Sequence, residues 1–531
     1  MTDTLTQTPP VLQGPTDKER KYDRQLRLWA ASGQAALESA NILLINSGAG
    51  TVGVETLKNL VLPGIGKFTI ADETIVSDVD LGVNFFLDQS CLGKSRAQCC
   101  TELLVELNPE VIGDFYPKDS SPFQLQELLE KSDVFTMIIY TLPLHSDQIS
   151  LIEKYGNQHL IPVLSVHSVG FYSYFRTSLP GTFPIVDTHP DETATTDLRL
   201  LTPWPELSTF ASDMANDIDN LDNHEHGHLP MVVILLHYLE VWKRDHEGSS
   251  PTSYTDKTAF RTLVSQAMRR DNPEGGEENF EEAVAAVMKH ITPSSVPSTL
   301  KEIFDYQHPA ETQAKSGFWI IADAVKDFYL KHQRLPVSGG LPDMKAQSNV
   351  YIKLQNIYKD KARKDANEIL DKVRGTPSGE MIDSAEVEAF CKNVRFIKLI
   401  NTIGEDVIIS DVVGRELNND EIAAIAGPEM PMSLIFIYLA LAVLSSTSTL
   451  STNDIVSAIC KIAPALTGNE RVVQVAQEVA RAAGGELHNI SAVTGGMVAQ
   501  EVIKIITQQY IPIDNTCIFD GIESRCQVLR L

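Results

Sequence analysis

The sequence predicts an α/β fold, a doubly wound and mostly parallel sheet whose chain is interrupted by a large, mainly helical insertion. Three observations predict it. An apolar run, Asn41–Ile45, leads straight into a glycine-rich turn and a helical pattern. Strand and helix patterns then alternate to about Arg176, as they do where helices cover both faces of a parallel sheet. The same α/β character returns only near Asn489, beyond a long stretch of almost purely helical periodicity.

Taken in order, Met1–Thr16 is polar and proline-bearing and reads as a disordered tail. Lys18–Leu37 has helical spacing, with Tyr22, Leu26 and Trp29 on one apolar stripe and Arg24 and Arg27 pointing away from it. After the Asn41–Ile45 strand come Gly48, Gly50 and Gly53, then Val54, Leu57 and Leu60 on a helix. Glycines so spaced, between strand and helix, permit a tight turn that brings backbone N–H groups and a helix N-terminus up to a phosphate. Gly64-Ile65-Gly66 ends the helix, and Lys67–Ala71 forms a second strand that closes on Asp72-Glu73. Glu73 lies about where a dinucleotide fold places its ribose-binding acid. Asp133–Thr141 and Ile161–His167 read as further core strands, the latter turning at Gly170-Phe171-Tyr172 into a hairpin-like aromatic stretch.

From Gly181 to Gly484 the pattern is helical. Its clearest helix is Ser348–Arg374, where Tyr351, Leu354, Tyr358, Ala362, Ala366, Ile369 and Val373 recur at intervals of three and four. Acids interleave the lysines and arginines of its other face, so that face reads as solvated and ion-paired rather than as a nucleic-acid site. Val350–Ala366 suits either core packing or contact with a protein partner. Thr494-Gly495-Gly496 precedes a helix at Met497–Thr507, and Cys517–Phe519 is a last short strand. The expected division is therefore a tail at 1–16, a first α/β part at 17–180, a helical insertion at 181–484 and a last α/β part at 485–531. Surface loops accept such insertions because loop-closure entropy rises slowly with length.

At 531 residues the chain has room for several domains, and its formal net charge of −26 argues against a nucleic-acid partner. The 7 cysteines are scattered without framework spacing, which suits a reducing compartment. Cys99-Cys100 reads as buried packing. Leu434–Leu444, the most apolar run, falls short of the ~20 residues that cross a bilayer, and no signal peptide is visible. A soluble chain of the cytoplasm and nucleus, with no membrane partner, is expected. His224, His226 and His228 read as a polar loop, since neighbouring imidazoles at this spacing rarely close a metal site; no metal is expected.

Residues Lys21-Tyr22-Asp23-Arg24-Gln25-Leu26-Arg27-Leu28-Trp29 resemble the amino-terminal signature of the adenylation domain in enzymes that activate ubiquitin-like proteins. The resemblance continues through the glycine loop, Leu92–Ala97, Gly495-Gly496 and Gln500-Glu501-Val502. Such enzymes set an active and an inactive adenylation half side by side, and this chain resembles the inactive half. Thr51 stands where an extra glycine is expected, and its side chain would crowd a phosphate. Ala71 and Glu73 stand at two expected aspartates, Asn84 at an ATP-clamping arginine, Pro143 at a magnesium-binding aspartate and Arg96 at the usual lysine. Adenylate formation needs cations aimed at the reacting phosphorus, so no catalytic residue of its own is expected. Neither a thioester-forming cysteine in its usual setting nor zinc-binding CxxC pairs are present. Leu335-Pro336-Val337, Leu341–Met344, Tyr351–Gln355 and Phe318–Ile320 resemble the regulatory half of the enzymes that activate the Nedd/Rub modifiers.

The resemblance implies a heterodimer with a catalytic subunit that holds ATP and magnesium, adenylates the modifier's terminal glycine, forms the thioester and passes the modifier to a conjugating enzyme in the neddylation of cullins. Arg24 is implied to reach the partner's ATP phosphates, for which a planar, permanently charged guanidinium is suited. Gly48, Gly50, Gly53 and Glu73 are implied to be a vestigial nucleotide loop. Two rivals stand beside this reading: an autonomous NAD- or FAD-dependent oxidoreductase, which leaves the Tyr22–Trp29 signature unexplained, and a pure scaffold in which Arg24 does nothing.

Overall fold

The computed structural model describes residues 14–118, 123–131, 135–190, 196–270, 276–307, 316–402, 407–427, 431–445 and 450–531. The chain forms two compact units, one built from the segment ending at Phe183 together with Ile400–Leu531, the other from Pro184–Leu399.

The first unit is built on an eight-stranded sheet. Its strands are β1 (Asn41–Ile45), β2 (Lys67–Ala71), β3 (Ile112–Tyr116), β4 (Met137–Thr141), β5 (Val163–Val169), β6 (Tyr172–Ser178), β9 (Thr516–Asp520) and β10 (Arg525–Leu529). They lie in the order β10-β9-β6-β5-β4-β1-β2-β3. β1 to β5 are parallel, whereas β6 runs antiparallel to both β5 and β9, and β10 antiparallel to β9. Side chains of a strand alternate between faces, and the core follows that period. Ile42 and Leu44 join one buried cluster with the helices Thr51–Val61, Arg96–Leu107 and His488–Thr507; Leu43 and Ile45 join another with Ile435–Val443 and Glu470–Ala482. The doubly wound expectation is met.

The second unit is helical apart from β7 (Phe183–Val186) and β8 (Ile397–Ile400), which pair where the chain enters and leaves it. The helix Ser348–Arg374 spans the predicted range and links two clusters. Leu354 and Tyr358 pack with Met231–Asp245 and Glu278–His290, while Ala366, Ile369 and Val373 pack with Gly317–His332 and Ser384–Lys392. Buried Tyr358 donates its hydroxyl to Leu198 O at 2.7 Å, so its one polar atom is satisfied. The outer face is ion-paired as expected, with Arg363 on Asp360, Lys364 on Glu206 and Lys372 on Asp327.

The structure corrects two boundaries. The insertion ends near Leu399 rather than at Gly484, because Ile435–Val443, Thr452–Ile462 and Glu470–Ala482 bury their apolar faces on the sheet. Gly495 and Gly496 lie inside the helix His488–Thr507 rather than before it, and a Cβ on Gly495 would stand 2.8 Å from Thr56 N. That glycine permits close helix–helix approach. Of the expected disordered tail, residues 1–13 lie outside the described residues, and Thr16 caps the helix Asp17–Lys21 through a capping box. Among the described residues, only His488–Thr507 is apolar and long enough to cross a membrane, and most of it is buried in the protein.

Candidate functional site

β1 is flanked by β2 on one side and β4 on the other, so the chain order reverses there. Ligands of open α/β sheets bind outside the carboxyl ends of the strands at such a switch point. A crevice of about 320 Å³ lies there, lined by Asn46, Ser47, Asp72, Glu73, Thr74 and Pro143 among others. Ser47 ties its two sides together, taking its N–H to Thr141 Oγ1 at 2.7 Å and its hydroxyl to Pro143 O at 2.5 Å.

The glycine loop follows Ser47. Gly48 and Gly50 have φ of 63° and 66°, so both need the left-handed backbone that glycine adopts without cost. Gly53 is buried in the first turn of Thr51–Val61, where a Cβ would stand 2.5 Å from Asn46 Oδ1. Thr51 is fully buried beside it, and its hydroxyl has no partner among the described residues.

What the loop faces is not a phosphate-binding surface. The guanidinium of Arg96, 1 % exposed, donates to Asp72 Oδ2 at 2.7 Å, to Asp80 Oδ1 at 2.9 Å and to the carbonyls of Gly48 and Ala49 at 3.0 Å each. Burial opposes its charge, but the two carboxylates outweigh burial and hold it protonated more firmly than an ordinary arginine. Burial also pushes Asp80 up, yet Ser77 and Arg96 prevail and keep its carboxyl below the usual range. Asp72 accepts in addition from Asn46 Nδ2 at 2.9 Å and Thr74 N at 2.9 Å. This closed network consumes the one arginine that bonds the loop among the described residues.

The N-terminus of Thr51–Val61 is likewise occupied. A helix N-terminus presents unpaired N–H groups that attract an anion. Here buried Glu486 supplies it, accepting from Val52 N at 2.8 Å and from Ser491 Oγ at 2.5 Å. Desolvation pushes its carboxyl up, against the pull of those donors. The place a phosphate would take is filled by the chain's own carboxyl, while Asp72, Glu73 and Asp80 add negative charge around a single neutralised cation. The residues present do not fit the phosphates of ATP.

The predicted residues divide accordingly. Gly48 meets Asp72 through Arg96, Gly50 and Gly53 approach the side chain of Asn46, and Glu73 is exposed on the crevice. Beside Ala71 and Glu73, expected at two aspartate positions, it is Asp72 whose carboxylate holds Arg96. Asn84 is structural: 1 % exposed, it caps the short helix Asp78–Val83 and accepts from Phe86 N at 3.1 Å. Arg24 stands apart from this network. It is exposed on Asp23–Ser39 with no ion pair among the described residues, whereas neighbouring Arg27 pairs with Asp23 at 2.9 Å. Its helix is anchored by Tyr22, whose hydroxyl donates to Glu110 at 3.1 Å, and by Trp29, whose indole donates to Gln34 at 3.1 Å. The histidine segment holds a buried pair, His226 on Glu277 at 2.7 Å, and no metal-binding group exists among the described residues.

Residues 22–531 match the model of the ThiF family. The chain is 37% identical over 538 residues to the "NEDD8-activating enzyme E1 regulatory subunit" of Xenopus laevis, covering 95% of this chain and 97% of that protein. It is 35% identical to the protein so named in Danio rerio, over 97% and 99% of the two lengths. To the regulatory subunit AXR1 of Arabidopsis thaliana it is 31% identical, over 98% of each. The chain therefore belongs to the ThiF family and, within it, to the family of NEDD8-activating enzyme E1 regulatory subunits.

Proposed function

We propose that this chain is the non-catalytic half of a heterodimer whose other half adenylates a Nedd/Rub modifier with ATP and magnesium, forms the thioester and hands the modifier to a conjugating enzyme. The observation that carries this reading is the self-filled nucleotide site. Arg96 is spent on Asp72, Asp80 and the glycine-loop carbonyls, and Glu486 sits at the helix N-terminus. A site so arranged lacks a free cation for a developing phosphoryl charge, and catalysis must then come from the partner.

Arg24 is this chain's contribution to that partner site. It is exposed and uncommitted, on a helix held by buried Tyr22 and Trp29, and its fork matches phosphate oxygens. The experiment is modifier-dependent ATP–pyrophosphate exchange by the chain alone, with the adenylating subunit, and with that subunit plus Arg24→Ala. The chain alone should give none, the complex full exchange, and the variant complex a rate lower by about tenfold or more at unchanged heterodimer yield. Exchange by the isolated chain would overturn the non-catalytic assignment, and full exchange by the variant complex would make the chain a scaffold only.

A further inference from the structure

We propose that the unit Pro184–Leu399 binds a small organic monophosphate in a cavity of about 220 Å³ between residues 335–340 and 392–396. Three cations, Arg199, Lys392 and Arg395, line it among the described residues, against one carboxylate, Asp197. That carboxylate is shared: its Oδ2 lies 3.3 Å from Arg199 Nε, 3.6 Å from Arg395 Nη1 and 2.8 Å from Ser294 Oγ. Among the described residues the lining thus carries two more positive than negative charges, in a chain whose formal net charge is −26.

Arg199 makes the excess consequential. It is 4 % exposed, donates Nη2 to Leu335 O and leaves Nη1 with no hydrogen-bond partner among the described residues. A guanidinium does not lose its proton at any ordinary pH, so a buried one with too little negative charge nearby is stabilised by any anion that enters. Burial indeed outweighs Asp197 and Asp365 and depresses its basicity. The remaining wall sets the ligand's shape. Leu335, Pro336, Val394 and Phe396 are apolar, and Thr196 and Ser338 add hydroxyls. An apolar body carrying a dianion fits; a phosphate monoester bears close to two negative charges at neutral pH, whereas a carboxylate would neutralise only half the excess.

The test is titration calorimetry of the full chain with phenyl phosphate at fixed ionic strength and pH 7.5, beside benzoate and phenol. Saturable binding of one phenyl phosphate per chain is expected, with benzoate and phenol at least about tenfold weaker. Arg395→Gln and Lys392→Gln should each weaken phenyl phosphate by about tenfold, the usual loss for a charged hydrogen bond. Both side chains reach solvent, so the variants should keep the urea midpoint of the parent. Absence of saturable heat, unchanged affinity in both variants, or benzoate binding as tightly would each overturn the proposal.

Discussion

Removing the Arg96 guanidinium would leave Asp72 and Asp80 facing each other in a sealed site. Side chains of all three are at most 8% exposed, so solvent cannot replace the lost partner. Breaking a buried ion pair from one side typically costs about 3–5 kcal/mol, and Arg96→Met should lower the unfolding free energy of the first unit by that much in urea. A loss under about 1 kcal/mol would mean that the clamp is not structural. His167 gives a second prediction. It is 2 % exposed on β5, its Nδ1 has no partner among the described residues, and burial pushes the ring down to about 4. The unfolded chain takes up this proton from about pH 6.5 downward, while the folded chain refuses it until about pH 4. Stability is therefore fully present above pH 6.5 and drains away as pH falls towards 4, by about 2 kcal/mol at pH 5. Comparison of urea midpoints at pH 7.5 and 5 for the parent and His167→Gln checks this; an equal drop in both would assign the acid sensitivity elsewhere. Neither group announced its role in sequence. Arg96 stood out only as a departure from a motif, and of the partners that define it Asp72 follows β2 and Asp80 lies in the short helix Asp78–Val83, a path that local periodicity cannot give.

The segment carrying Arg24 is bent at Trp29 and Ala30. Within Asp23–Ser39, Trp29 has φ −123° and ψ 17°, and Ala30 has φ 56° and ψ −176°. The second is a conformation essentially reserved for glycine, costing about 1–3 kcal/mol in any other residue. It persists because the carbonyls the bend releases find donors: Tyr510 Oη reaches Leu28 O at 3.2 Å, and Gln509 Nε2 reaches Trp29 O at 3.0 Å. Ala30→Gly should remove the strain and, after glycine's greater freedom in the unfolded chain is subtracted, raise stability by about 1 kcal/mol. Denaturant melts would register it, and a destabilised variant would show that the bend is not strained. Elements such as this helix, β1 and β2 were legible because one strong local period or turn fixes each. The bend was not, for its cause lies in residues near 510. The helices after Leu399 were misassigned for a related reason. Periodicity says that one face is buried but not against what, and sheet-covering helices share the pattern of an all-helical unit.

At the scale of the chain, one long-range contact is the most informative: Val52 and Glu486 lie 434 positions apart, yet one caps the other. The first unit is completed only when the end of the chain returns, and its break is already closed from within. Leu179 N donates to Thr402 Oγ1 at 2.6 Å, and Thr402 Oγ1 reaches back to Leu179 O at 3.3 Å. The two ends of the interrupted unit thus meet without help from what lies between, as an insertion into a surface loop requires. The second unit has two apolar clusters of its own, centred on Leu235 and Phe260 in one and on Ile321 and Val373 in the other. Replacing residues 181–400 by a short glycine–serine linker should therefore leave the α/β unit folded, since shortening a closed loop lowers its entropic cost. Far-UV circular dichroism and a single cooperative urea transition would be the readout, with the Arg96 effect above preserved in the shortened chain. Collapse to an unfolded or aggregated product would mean that Pro184–Leu399 supplies stability that the internal contacts of the first unit do not.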